Sequence, residues 1–129
     1  SDGYALIIRD QTNTRNLTIT PDALSQLAVI PSAETISAEG TITANACGGV
    51  KQITAAGEVT TNTTNTFTAP AAANAGCCMD VINVGANAIT LDENTNFVSA
   101  GNVVLGTGDT VRVCSNGTTW YQIGATGDN

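Results

Sequence analysis

Residues 103–124 read Val103-Val104-Leu105-Gly106-Thr107-Gly108-Asp109-Thr110-Val111-Arg112-Val113-Cys114-Ser115-Asn116-Gly117-Thr118-Thr119-Trp120-Tyr121-Gln122-Ile123-Gly124. This stretch decides the fold. Side chains alternate across a strand, so Val111 and Val113 share one face while Arg112 and Cys114 share the other. Asn116-Gly117 is the strongest turn signal in the chain, because both residues tolerate a left-handed backbone. The stretch therefore predicts a hairpin, with strands over 109–115 and 119–123. Trp120 and Gln122 alternate with Tyr121 and Ile123 on the second strand. Trp120 is read as a core plug or a subunit contact, and a sugar-stacking role is the competing reading.

Working outward, further strands are predicted over 78–84, 87–91 and 97–105. Gly85-Ala86-Asn87 and Leu105-Gly106-Thr107-Gly108-Asp109 are the connecting turns. Upstream, Thr35 to Thr43 alternates on either side of a turn, and Val50 to Ile53 continues the pattern. Glu58 to Ala69 is a polar strand of Thr and Asn, anchored by Val59 and Phe67; Thr suits strands through its branched carbon. Ala69 to Gly76 is a break, because Pro70 and Gly76 confine any helical turn of its alanines. Short strands at spacings near ten residues, without helical crossovers, predict an all-β domain. The expected architecture is jelly-roll-like or a β-sandwich or barrel.

The first 33 residues read as an extended N-terminal arm, and 34–129 as the β-rich domain. In the arm, Tyr4 to Ile8 is apolar, Arg9 to Asn16 is a polar turn, and Leu17 and Ile19 share one strand face. Thr20-Pro21-Asp22 predicts one short helix that ends before Pro31. Thr20 caps it, Pro21 suits the first helical position, and Asp22 lies near the positive end.

The chain has 129 residues, enough for one domain with a modest core. Charged residues make up 12%, roughly half the usual share. Polarity comes instead from residues such as 21 Thr and 13 Asn. The formal charge is −7, and Arg9, Arg15, Lys51 and Arg112 are scattered. That argues against partnership with nucleic acid or an anionic membrane, both of which need clustered bases. No apolar run has the length of a membrane span. The opening SDGYALIIRD has no basic region before its apolar run, so no secretory signal is read there. Cys47, Cys77, Cys78 and Cys114 are expected to be reduced in a cytoplasmic product, with one bridge from Cys47 or Cys114 to the adjacent pair as the alternative.

There is no His. A Ser-His-Asp or Cys-His device is therefore excluded within one chain. Lys51, the sole lysine, reads as an exposed surface residue. Four thiolates could hold zinc, but adjacent Cys77 and Cys78 lack the usual spacing and point to opposite strand faces. Asp80, Asp92, Glu93 and Asp109 read as turn acids at a solvated edge, with a calcium site on loop oxygens as the alternative. Gly106-Thr107-Gly108 lacks the Lys of a phosphate loop and precedes an acid, so it reads as a hairpin turn. The reading names no catalytic residue, no metal ligand and no cofactor, and expects no enzyme.

Residues 89–124, ITLDENTNFVSAGNVVLGTGDTVRVCSNGTTWYQIG, resemble the closing region of tailed-bacteriophage virion proteins. These include capsid decoration (cement) proteins and the β domains of tail fibres and spikes. The matching positions are Phe97, Gly101 to Leu105, Gly108 to Val111 and Ser115 to Gly124. The resemblance implies a homotrimeric structural protein on the outer capsid surface, made in the host cytoplasm. Its partner would be the major capsid protein, whose contacts it would stabilise through an arm. Candidate arm anchors are Tyr4, Leu6, Ile8, Leu17, Ile19, Leu24 and Leu27. Candidate core or subunit-interface residues are Phe67, Phe97, Val111, Val113, Trp120, Tyr121 and Ile123. The alternative is a tail fibre or spike module that binds a host receptor or glycan. A third reading is a bacterial surface or matrix protein, which a disulfide would favour. So few aromatic residues make a lean core, and oligomerisation would add buried apolar area and cover strand edges.

Overall fold

The computed structural model describes Leu6–Arg9, Asn16–Ile19, and residues 32–45 and 49–124. The chain divides into two compact units, Ser1–Ile30 and Pro31–Asn129. In the first unit, β1 (Leu6–Arg9) pairs antiparallel with β2 (Asn16–Ile19). The register sets Leu6 opposite Ile19 and Ile8 opposite Leu17. The helix predicted after Thr20 lies outside the described residues, as do Tyr4, Leu24 and Leu27.

The second unit is all-β, as expected. Its strands are β3 (Glu34–Ile36), β4 (Val50–Ala55), β5 (Val59–Thr60), β6 (Cys78–Asn83), β7 (Ile89–Leu91), β8 (Phe97–Val98), β9 (Val103–Leu105), β10 (Thr110–Ser115) and β11 (Trp120–Gln122). Among its described residues, the non-strand element is one 3-10 turn, Ala72–Asn74, within the break at Pro70 and Gly76. Six strands form one sheet in the order β3-β4-β6-β10-β11-β8, and three form another in the order β5-β7-β9. From β4 to β10 the chain alternates between the two sheets at every step. A strand that leaves its sheet and returns two steps later can run parallel to its predecessor. Hence β4 lies parallel to β6, and β5 to β7. Tight hairpins cannot make such pairs. The result is a sandwich-like fold around one core.

That core joins inward residues of both sheets. Ile53, Met79, Val81, Phe97, Val111, Val113 and Trp120 come from the larger sheet, and Ile89, Leu91, Val103 and Leu105 from the smaller. Phe67 packs edge-on against Phe97 at 5.3 Å and is tilted against Trp120 at 6.4 Å. Such aromatic pairs add to the area they bury.

The predicted β10–β11 hairpin forms, with Ser115 opposite Trp120. Asn116 holds the turn: its side-chain oxygen accepts from the backbone of Thr118 and Thr119, both at 2.9 Å. Three expectations fail. The strand expected over 97–105 is two strands in different sheets, broken at Ser99 to Asn102, where Gly101 has φ 132° and the Ser99 hydroxyl bonds the Gly101 carbonyl. The polar strand expected over 58–69 pairs only at Val59–Thr60 and bridges again at Phe67. Between them Asn62 accepts from the backbone of Thr64 and Asn65, and such local bonds compete with a ladder. The Gly106 to Asp109 turn is tight but hands the chain from one sheet to the other, so it closes no hairpin.

The cysteines also differ from expectation. Cys78 lies directly opposite Cys114 in the β6–β10 register, their Cα atoms are 4.0 Å apart, and they form a disulfide. Cys77 is disulfide-bonded as well, to a partner outside the described residues. Cys77 and Cys78 therefore enter separate bonds. Cys47 lies outside the described residues. Lys51 is no solvated lysine: its ammonium is 2.6 Å from Glu34, with its side chain 14% exposed. Burial is tolerable because the charges pair and Glu34 also accepts from the Thr43 backbone and hydroxyl.

The Cys78–Cys114 bond spans 36 residues, and loop-closure entropy gives it about 3–4 kcal/mol of stabilisation. The double variant Cys78→Ala/Cys114→Ala is expected to lose about that much in urea unfolding. Unchanged stability would show that the bond contributes nothing.

Candidate binding surface

The described acids and cysteines take part in separate local contacts. Among the described residues, no group of three or more His, Cys, Asp or Glu could hold a metal ion. Cys78 and Cys114 are consumed in their disulfide, and Cys77 in another, so the four-thiolate zinc reading is overturned. The acids serve separate local roles. Asp109 accepts from the Gly106 backbone at 2.8 Å and closes its turn. Glu93 accepts from the Ser99 backbone, and Asp80 faces Arg112 at 3.7 Å.

Buried polar groups are structural. Asn83 is fully buried and donates to the carbonyls of Asn87 at 2.8 Å and Leu105 at 2.9 Å. Its oxygen accepts from the Gly85 backbone at 3.0 Å. It thereby ties the end of β6 to β9 in the other sheet. A second knot joins Thr61, Thr66 and Asn94. Thr61 accepts from the Asp92 backbone at 2.9 Å, Asn94 donates to the Thr66 hydroxyl at 2.7 Å, and Thr66 donates to the Asp92 carbonyl. No buried side-chain nitrogen or oxygen among the described residues lacks a partner. Sequence reading missed both knots, because an Asn or Thr in a chain rich in them carries no mark of burial.

Of the candidate core residues, Phe67, Phe97, Val111, Val113 and Trp120 are buried. Trp120 has no exposed surface and its indole N–H donates to the Thr68 carbonyl at 3.1 Å. It plugs the core, and stacking on a sugar is overturned. Tyr121 and Ile123 are 38% and 50% exposed and do not belong to the core. Alternation turns them outward where it turns Trp120 inward.

Exposed apolar side chains gather on the outward face of the six-stranded sheet. Register aligns Val98, Tyr121, Cys114 and Cys78 in one row. A second row runs through Arg112, Asp80 and Val50. Ile123 joins it, since its backbone N–H bonds the Arg112 carbonyl. Val84 continues the outward alternation past β6. Thus five of the six large hydrophobic side chains exposed among the described residues share this face, and only Val104 lies on the other sheet. A shallow depression of about 450 Å³ there is lined by Glu58, Val59, Thr60, Ala88, Thr90 and Val104. It lacks the enclosed apolar walls of a small-molecule site.

Comparison with known protein families, curated proteins and solved structures returns no match for this chain.

Trp120 is expected to emit as a buried indole, and oligosaccharides should not shift its emission. Trp120→Ala should cost about 3–5 kcal/mol in unfolding free energy. A red emission maximum that glycans shift would contradict the burial.

Proposed function

We propose that this chain is a non-enzymatic structural protein of a virion, assembling as a homotrimer and attaching to major capsid proteins on the outer capsid surface. The observation that carries the reading is the distribution of exposed apolar groups. They occupy an open sheet face with no enclosed cleft, and a flat apolar-bearing surface suits a protein partner. That partner includes a second copy of the chain, and the resemblance of residues 89–124 to virion proteins supplies the setting, a capsid surface. The Cys78–Cys114 disulfide favours a second reading, a bacterial surface or matrix protein that works outside a reducing cytosol. The β1–β2 hairpin is the candidate arm. Two strands alone are marginally stable in water, so a hairpin whose register pairs Leu6 with Ile19 and Ile8 with Leu17 gains from docking on another surface. Capsid attachment would then add contacts between shell subunits against internal pressure.

Purified protein is expected to co-sediment saturably with capsids that lack it. Removal of residues 1–27 should abolish co-sedimentation and leave the free oligomer intact. Full-length protein that does not bind capsids, and instead binds host cells or glycans, would replace this reading with a tail fibre or spike module. Truncated protein that coats capsids equally well would remove the arm from the mechanism.

A further inference from the structure

We infer that the outward face of the six-stranded sheet is the surface through which copies of this chain bind one another, with Arg112 of one copy pairing with Asp80 of the next. This assignment does not rest on capsid attachment.

The unit Pro31–Asn129 carries eight acids and two bases, a formal charge of −6. Two such bodies repel, and they can meet only where the local charge is small. Among the described residues of this unit, Asp80 is the only acid at an outward position of the six-stranded sheet. Glu34 lies on the inward side, paired with Lys51. Glu39 lies in the turn after β3, Glu58 borders the other sheet, and Asp92, Glu93 and Asp109 lie in loops between strands. Arg112 stands beside Asp80 in the β6–β10 register, so the face is neutral. It is also where the exposed apolar groups gather, with Val50, Val98, Tyr121 and Ile123 around the charged pair. An apolar surface with its charges balanced suits a second copy better than a strongly charged partner.

The ion pair adds direction. Arg112 and Asp80 are 3.7 Å apart, and their side chains are 59% and 45% exposed. A pair that loose and that wet contributes little within one chain. Each partner keeps unused hydrogen-bonding capacity toward a facing surface. A head-to-tail arrangement lets each Arg112 reach the neighbour's Asp80. About a rotation axis such contacts form a ring when the rotation closes. Apolar contact from Tyr121, Val98 and Ile123 would surround the exchanged pairs and exclude water from them. Among the described residues, the three-stranded sheet exposes one large hydrophobic side chain, Val104, beside Glu58.

The test is the mass of the full chain in solution by sedimentation equilibrium. Wild type should exceed the 13.0 kDa of one chain by a whole multiple. Tyr121→Lys and Ile123→Lys should each return the mass to that of one chain, while Val104→Lys leaves the oligomer unchanged. Asp80→Arg should dissociate it, and the exchange Asp80→Arg/Arg112→Asp should restore it. Restoration by the exchanged pair cannot come from general unfolding, and unchanged far-ultraviolet circular dichroism checks each variant. A monomeric wild type would overturn the assignment, as would an oligomer that survives Tyr121→Lys and Ile123→Lys. An oligomer of this kind with no affinity for capsids would uphold the surface and reject the virion reading.

Discussion

Asn83 has no exposed surface, and its hydrogen bonds hold two sheets as one body. The chain passes from sheet to sheet at almost every step, and each passage brings backbone groups toward an apolar interior. An unpaired buried amide or carbonyl costs on the order of 1–3 kcal/mol. Asn83 answers this at the end of β6 by serving the carbonyls of Asn87 and Leu105 and the Gly85 amide. Thr61, Thr66 and Asn94 answer it where the polar loop meets residues 92–96. The alternating topology depends on these side chains, because no hairpin ladder supplies the missing bonds.

This explains a composition that first looks ill suited to a core. Thr and Asn are numerous because loops that cross between sheets need short side chains able to reach the backbone. The aromatic residues are few but concentrated, with Phe67, Phe97 and Trp120 in mutual contact. The Cys78–Cys114 bond and the Lys51–Glu34 pair reinforce the larger sheet, which carries most of the strands. The two faces of that sheet then differ in kind. One is sealed by the core, and the other leaves apolar groups and one balanced charge pair open to solvent. That open, apolar-bearing face is why the proposed role is one of assembly.

The all-β class, the Asn116-Gly117 hairpin and the core positions of Val111, Val113, Phe67, Phe97 and Trp120 were legible in the sequence. Each rests on local rules: strand alternation, turn chemistry, and the burial of large apolar side chains. None of the 129 residues is His, so none of them supplies an imidazole. Tertiary structure alone decided the pairing of strands, because parallel neighbours such as β4 and β6 are joined through a strand of the other sheet and leave no local mark. It decided that 97–105 is two strands, that Cys78 meets Cys114, and that Lys51 is sheltered by Glu34. It also decided which half of the last hairpin faces solvent. Alternation separates Trp120 from Tyr121, but only the position of the second sheet determines that Trp120 is the one covered.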